Sequence, residues 1–139
     1  MTILPWGRAA AWILLAIAIV ANVLGYTSSL YQQWWWFDRV LHGFTLWATT
    51  LWLGVFVFAP VIRPEQARSL RAFLVILAVG IAVGALWEIA EWGFDQFASG
   101  DVIKGKYDTI LDIIMDTLGA LLAAVMTMAS VDRGERRAI

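Results

Sequence analysis

Four stretches of the chain, at about 9 to 26, 40 to 60, 70 to 92 and 109 to 131, are apolar over a length that crosses a bilayer. A membrane-spanning helix needs about 20 mostly apolar residues. In the hydrocarbon core every backbone polar group must find its partner inside the chain, so such stretches can only be helices packed on one another. The pattern predicts an all-α, polytopic membrane protein with four transmembrane helices. Composition agrees: 61% of the 139 residues are hydrophobic and 15% are charged, against roughly 45–50% and 25% in soluble domains. The connections are short and polar. Pro60 and Pro64 close the second span, and Gly100 and Gly105 loosen the last loop. No internal repeat or low-complexity segment divides the chain, so residues 1 to 139 read as a single membrane domain.

Several function classes drop out. A net charge of −1 offers no attraction for nucleic acid. Without cysteine there is no disulfide, thiolate metal site or thiol nucleophile. The lone His42 excludes a multi-histidine copper or zinc centre within one chain. At the N-terminus, Arg8 precedes an apolar run containing Ala16-Ile17-Ala18, which has a superficial likeness to a signal peptide. That run continues to Leu24, long enough to span, and is expected to stay as an uncleaved helix.

Basic residues set the expected orientation. Arg8, Arg63, Arg68, Arg71, Arg133, Arg136 and Arg137 share one side, while Arg39, Lys104 and Lys106 lie on the other. The richer side is expected to be cytoplasmic, with both termini inside. Trp34, Trp35, Trp36 and Phe37 then anchor the outer interface beside Trp92, and Trp6 the inner one.

On this topology the acids gather at one end. Asp38 and His42 open the second helix, Glu88, Glu91 and Asp95 end the third, and Asp108, Asp112 and Asp116 open the fourth. At about 100° per residue, Asp38 and His42 share a face that Thr45 and Thr49 continue inward. Glu88, Glu91 and Asp95 fall within about 60° of one another, with Gly84 beside them. Asp108, Asp112 and Asp116 spread over about 80°, with Gly119 and Ala123 on the same stripe. Gly80 and Gly84 form a small-xxx-small pattern that admits a neighbouring helix. Each polar face must therefore point into the bundle, away from lipid. A rise of about 1.5 Å per residue puts Asp116 roughly 12 Å deeper than Asp108, and Glu88 roughly 10 Å deeper than Asp95. The acids are partly submerged.

Asp38, Glu88, Glu91, Asp95, Asp112 and Asp116 outnumber the bases that can reach them, Arg39 from a helix and Lys104 and Lys106 from the loop. Partly desolvated carboxylates at this density either take up protons or hold a metal cation. Oxygen-rich ligation with at most one imidazole suits a divalent ion such as Mg²⁺, Ca²⁺, Mn²⁺ or iron. Carboxylates three or four residues apart on facing helices are also how di-metal bundle sites are built, though those use more histidine. The expected ligands are Glu88, Glu91, Asp112 and His42, with Asp116 and Asp38 as further ligands or orienting groups. Arg39 would position an anionic group, such as a lipid phosphate. Simpler roles compete at individual positions. Asp108 reads as the N-cap of the fourth helix and Asp38 as a cap of the second. Asp95 reads as solvated, and His42 alone would be an ordinary hydrogen-bonded bundle histidine. Asp101 and the loop lysines read as a solvated loop, and Asn22 and Tyr26 as interhelical hydrogen-bonding groups.

The run Phe37-Asp38-Arg39-Val40-Leu41-His42-Gly43-Phe44 resembles the YjdF-type family of bacterial inner-membrane proteins, in which an aromatic-Asp-Arg-x-x-His element opens a transmembrane helix. Trp87-Glu88-Ile89-Ala90-Glu91-Trp92 is similar to its Glu-x-x-Glu-Trp element. Tyr107-Asp108-Thr109, Asp112 and Gly119-Ala120 are similar to its terminal helix. The likeness covers about 36 to 124. This chain is shorter, with a brief connection between its second and third helices, and Asp116 has no assured counterpart in the family. The resemblance implies an inner-membrane location and names no reaction.

Three function classes remain. One is a metal-dependent membrane enzyme acting on a lipid-linked or small anionic substrate, although no nucleophile such as a Ser-His-Asp set is present. Another is ion or proton handling, disfavoured by the scarcity of polar groups in the inner halves of the second to fourth spans. The third is a non-catalytic subunit or assembly partner of a larger membrane complex, or a homo-oligomer, which the small size and small-residue faces suit.

Overall fold

A computed structural model describes residues 1–66, 68–97 and 102–132. Gly100, Asp101, Arg133, Arg136 and Arg137 lie outside the described residues. The chain forms α1 (Pro5–Thr27), the single turn α2 (Leu30–Gln33), α3 (Phe37–Leu53), α4 (Leu70–Phe97) and α5 (Lys106–Ala129). Through Gly54–Phe58, α3 runs on as a π-helical turn, closed by the bond from Ala59 N–H to the Gly54 carbonyl (2.9 Å). Four helices, α1, α3 with its extension, α4 and α5, are long and apolar enough to cross a membrane.

The bundle is organised around α3 and α5, which share the largest interface; α4 packs mainly on α5, and α1 on α3. Close approach depends on missing side chains. A Cβ on Gly119 would stand 2.2 Å from the Gly43 carbonyl oxygen, so α5 lies directly on the α3 backbone. A Cβ on Gly80 would lie 2.5 Å from the Ala120 Cβ, the contact expected of the small-xxx-small pattern. Away from the acid end, the core is made of Ala11, Leu51, Val55, Ala59 and Ala123. Large apolar residues such as Ile13, Ile17, Leu86, Ile89, Ile114 and Leu118 point outward, as lipid-facing residues of a helical bundle do.

Residues near the two chain ends meet opposite the acids. Ile3 pairs with Val131 in an isolated antiparallel bridge, and Leu4 N–H donates to the Ser130 carbonyl at 2.9 Å. At the acid end, Trp34, Trp35 and Trp36 are exposed, with Trp34 and Trp36 stacked at 5.4 Å. In the first span, Asn22 donates to the Thr45 hydroxyl at 3.0 Å and accepts from the Tyr31 hydroxyl at 3.0 Å. Asn22 is thus the expected interhelical link, while Tyr26 contributes a ring contact to Tyr31 instead.

Candidate functional site

His42, in the second turn of α3, sits among four carboxylates from three helices. Its Nδ1 lies 3.2 Å from Asp116 Oδ1 and 3.6 Å from Glu88 Oε1. Its Nε2 lies 3.7 Å from Asp38 Oδ1 and 3.8 Å from Glu91 Oε1. The placement follows from helix geometry. Asp38 precedes His42 by four residues on one face, Glu88 and Glu91 share the inward stripe of α4, and Asp116 faces them from α5. Gly84 completes the fit, because a Cβ there would lie 2.8 Å from Asp116 Oδ2 and 2.9 Å from its Cβ.

The cluster divides into two triads. His42, Glu88 and Asp116 each offer a ligand atom within 4.8 Å of the others, and all three are buried. Asp38, Asp108 and Asp112 do the same, with Asp108 and Asp112 buried and Asp38 half-buried. Ligand atoms at right angles about a cation with bonds of about 2.1–2.5 Å stand roughly 3.0–3.5 Å apart, close to the spacing of His42, Asp116 and Glu88. Glu88 Oε1, Asp112 Oδ1 and Asp116 Oδ2 are fully enclosed without a hydrogen-bond partner. Enclosed carboxylate oxygens without donors are costly, and a cation in the inner triad would satisfy those of Glu88 and Asp116. The donor set, one imidazole with carboxylate oxygens, fits a hard or borderline divalent ion.

Bases are distributed unevenly. Arg39 donates to Asp108 Oδ1 at 3.0 Å and to the Trp35 carbonyl, with its guanidinium 5.7 Å from the Trp35 ring centroid. Lys104 Nζ reaches Asp38 Oδ2 at 3.1 Å. Both bases therefore serve the outer triad, and no lysine or arginine pairs with Glu88, Glu91, Asp112 or Asp116 among the described residues.

Some expected roles change. Asp108 is not the N-cap of the last helix. Gly105 holds that position, and Asp108 sits in the first turn, 7% exposed, accepting from Arg39 and from the Lys104 backbone N–H at 3.3 Å. Trp36 holds the cap position of α3, and Asp38 pairs with Lys104 rather than with its neighbour Arg39. Asp95 turns away from the cluster and accepts the backbone N–H groups of Val102 (2.9 Å) and Ile103 (2.8 Å). It thereby ties the end of the loop to α4. Glu91 accepts from the Trp87 indole at 2.8 Å and lines a cavity of about 280 Å³ with Asp38, His42, Tyr31 and Lys104. Lys104 was expected only as one of two loop lysines able to reach the acids, and it is the one that pairs with Asp38. Asp108 had a clearer signal, its place on the stripe of Asp112 and Asp116.

This cavity adjoins an apolar groove of about 450 Å³ between α1, α3 and α4, lined by Leu15, Ile19, Val23 and Thr49. Asn22, Tyr26, Thr45 and Trp87 border both. The groove exists because α1 leans on α3 and scarcely on α4.

Fold and site together define a helical, four-span integral membrane protein with an acid–histidine cluster enclosed at one end of its bundle. The chain belongs to the family described as "Predicted membrane protein (DUF2238)", whose profile matches residues 4–133, all four spans. It is also similar to a Thermotoga maritima protein described as "Uncharacterized protein", 28% identical over 107 residues, covering 74% of this chain and 53% of that one. The chain thus spans about half the length of the curated relative it matches. No solved structure matches it.

Proposed function

We propose that this protein binds a divalent cation within its acid–histidine cluster and acts on an amphiphilic, lipid-linked or small anionic substrate at that site. One observation carries the reading. His42, Glu88 and Asp116 converge in a buried triad in which two carboxylate oxygens have no partner. His42, Glu88 and Asp116 would be the first ligands, with Glu91 and Asp38 beside His42 and Asp112 in the neighbouring triad as further ligands or orienting groups. The imidazole favours Mn²⁺ or iron over Mg²⁺ and Ca²⁺. A cation there would supply Lewis acidity to a bound oxyanion, and Glu91, on the cavity wall, is the available base.

Substrate class follows from the cavity and its groove. The groove would take an apolar chain at membrane depth while the polar cavity receives the head group. Lys104 lines that cavity and is the cation an anionic head meets. Arg39, expected from sequence to hold an anion, is already engaged with Asp108 and the Trp35 carbonyl, which leaves Lys104 the more available cation. The asymmetry of basic residues and the likeness to YjdF-type proteins support a bacterial inner-membrane location, with both termini cytoplasmic and the cluster periplasmic. Conduction of ions is less well supported: the buried polar side chains beyond the cluster are Thr50, Thr127 and Ser130 among the described residues, and the latter two hydrogen-bond to nearby helix carbonyls.

Elemental analysis of the purified protein tests the cation. Stoichiometric Mn, Fe, Mg or Ca in the wild type, reduced in Glu88→Ala and Asp112→Ala variants that still fold, supports the site. Wild-type protein without such a metal after growth and purification in its presence rejects it and leaves protonated acids or a partner subunit. Turnover of lipid-linked substrates by the loaded protein separates enzyme from assembly factor.

A further inference from the structure

We infer that the cluster is a two-cation site, with a second divalent ion held by Asp38, Asp108 and Asp112 beside the ion at His42, Glu88 and Asp116. This rests on the cation reading above and extends it. The two triads come from different turns: Asp112 and Asp108 lie one and two turns before Asp116 on α5, and Asp38 one turn before His42 on α3. They are adjacent, since Asp38 Oδ1 of one stands 3.7 Å from His42 Nε2 of the other.

Two independent observations point to a ligand in the outer triad. Asp112 is 3% exposed, and its Oδ1 is enclosed without a partner, although Arg39 and Lys104 lie within reach of Asp108 and Asp38. Those bases each take one carboxylate and leave Asp112 unanswered. Charge balance is the second observation. Asp38, Glu88, Glu91, Asp108, Asp112 and Asp116 provide six negative charges, and Arg39 and Lys104 provide two positive ones. Four negative charges remain in a partly desolvated space. One divalent cation cancels half of them; two cancel them all, with His42 left as a neutral ligand.

Paired cations about 3.5–4 Å apart clamp a phosphoryl or carboxyl group by taking one of its oxygens each. The cavity over Asp38, His42 and Glu91 therefore suits an oxyanion head group, with Lys104 at its edge.

Mn²⁺ titration of the full-length protein in detergent, read by metal analysis after desalting and by electron paramagnetic resonance, tests the inference. Two Mn²⁺ per chain with a spin-coupled spectrum is the expected result. Asp108→Asn should reduce the count to one and restore the six-line spectrum of isolated Mn²⁺. Glu88→Gln should remove the inner ion. One Mn²⁺ in the wild type with an uncoupled spectrum, unchanged by Asp108→Asn, overturns the second site and leaves the first. No Mn²⁺ in the wild type overturns both. Because Asn and Gln preserve shape, and the wild-type count needs no variant, a folding defect in one variant leaves the outcome decided.

Discussion

His42 Nδ1 and Asp116 Oδ1 stand 3.2 Å apart across the interface of α3 and α5, although 74 positions separate them in the chain. Both are buried. Without a cation this is a hydrogen bond; with one it is the separation of two neighbouring ligands. Addition of Mn²⁺ at about a hundred times its dissociation constant should stabilise the wild type by about 2.7 kcal/mol, seen as a rise in Tm in detergent. Asp116→Asn should lose most of that rise. An equal rise in both proteins would mean that Asp116 merely pairs with His42.

The geometry of the cluster depends on how closely α5 lies on α3. A Cβ on Gly119 would meet the Gly43 carbonyl at 2.2 Å and the Trp47 backbone nitrogen at 2.9 Å, and helix backbone cannot yield without moving the helix. Gly119→Ala is therefore expected to cost about 3 kcal/mol, the upper range for overpacking, and to weaken cation binding by displacing Asp112 and Asp116. Gly93→Ala is the control, because nothing lies within 4 Å of a Cβ there. Thermal melts and Mn²⁺ titration of the two variants make the comparison. Equal behaviour would show that the interface is more compliant than the contact implies.

Much of this was legible in the sequence. Length and hydropathy mark the four helices, and the 3.6-residue phase puts Asp38, His42, Glu88, Glu91, Asp112 and Asp116 on inward stripes. Hydropathy misplaced the polar ends: α3 begins at Phe37, α4 runs on to Phe97 and α5 begins at Lys106, because the acid-bearing turns stay helical although they are not apolar. The part played by Asp108 was hidden for a different reason. An acid in the first turn of a helix is a routine capping residue, and only the position of Arg39 on another helix reveals its other partner. Lys104 was one of two loop lysines within reach of the acids, and nothing in the sequence separated it from Lys106 or named Asp38 as its partner, since a loop residue has no periodic phase from which to infer its direction.

Tyr31, in the short α2 outside the spans, gives a prediction on pH. Desolvation holds its phenol above the ordinary value of 10.0, and the charges of Tyr26, Asp38 and Glu91 push the same way. The unfolded chain therefore releases this proton first as pH rises. Since the folded state then binds more protons, stability falls above pH 10, by at most about 1.4 kcal/mol per pH unit for one group. Below pH 10 this contribution is fully present. Tyr31→Phe should flatten that part of the stability curve while losing its bond to Asn22 (3.0 Å). Parallel curves for wild type and variant between pH 9.5 and about 11 would sink the assignment.

The groove and the cluster can be separated by experiment, because Thr49 borders the groove but not the polar cavity. Thr49→Trp fills the apolar side from α3 and leaves every ligand in place. If the groove seats the chain of an amphiphile, the variant should retain its full complement of cation while losing bound lipid in native mass spectrometry, by about tenfold or more in occupancy. A tenfold loss corresponds to about 1.4 kcal/mol, less than the burial of a few methylene groups provides at about 0.8 kcal/mol each. Glu88→Gln should do the reverse, removing cation and any head-group contact that depends on it while the chain retains its groove. If Thr49→Trp leaves lipid occupancy unchanged, the groove is ordinary lipid-facing surface, and the substrate reaches the cluster from the aqueous side as a small anion.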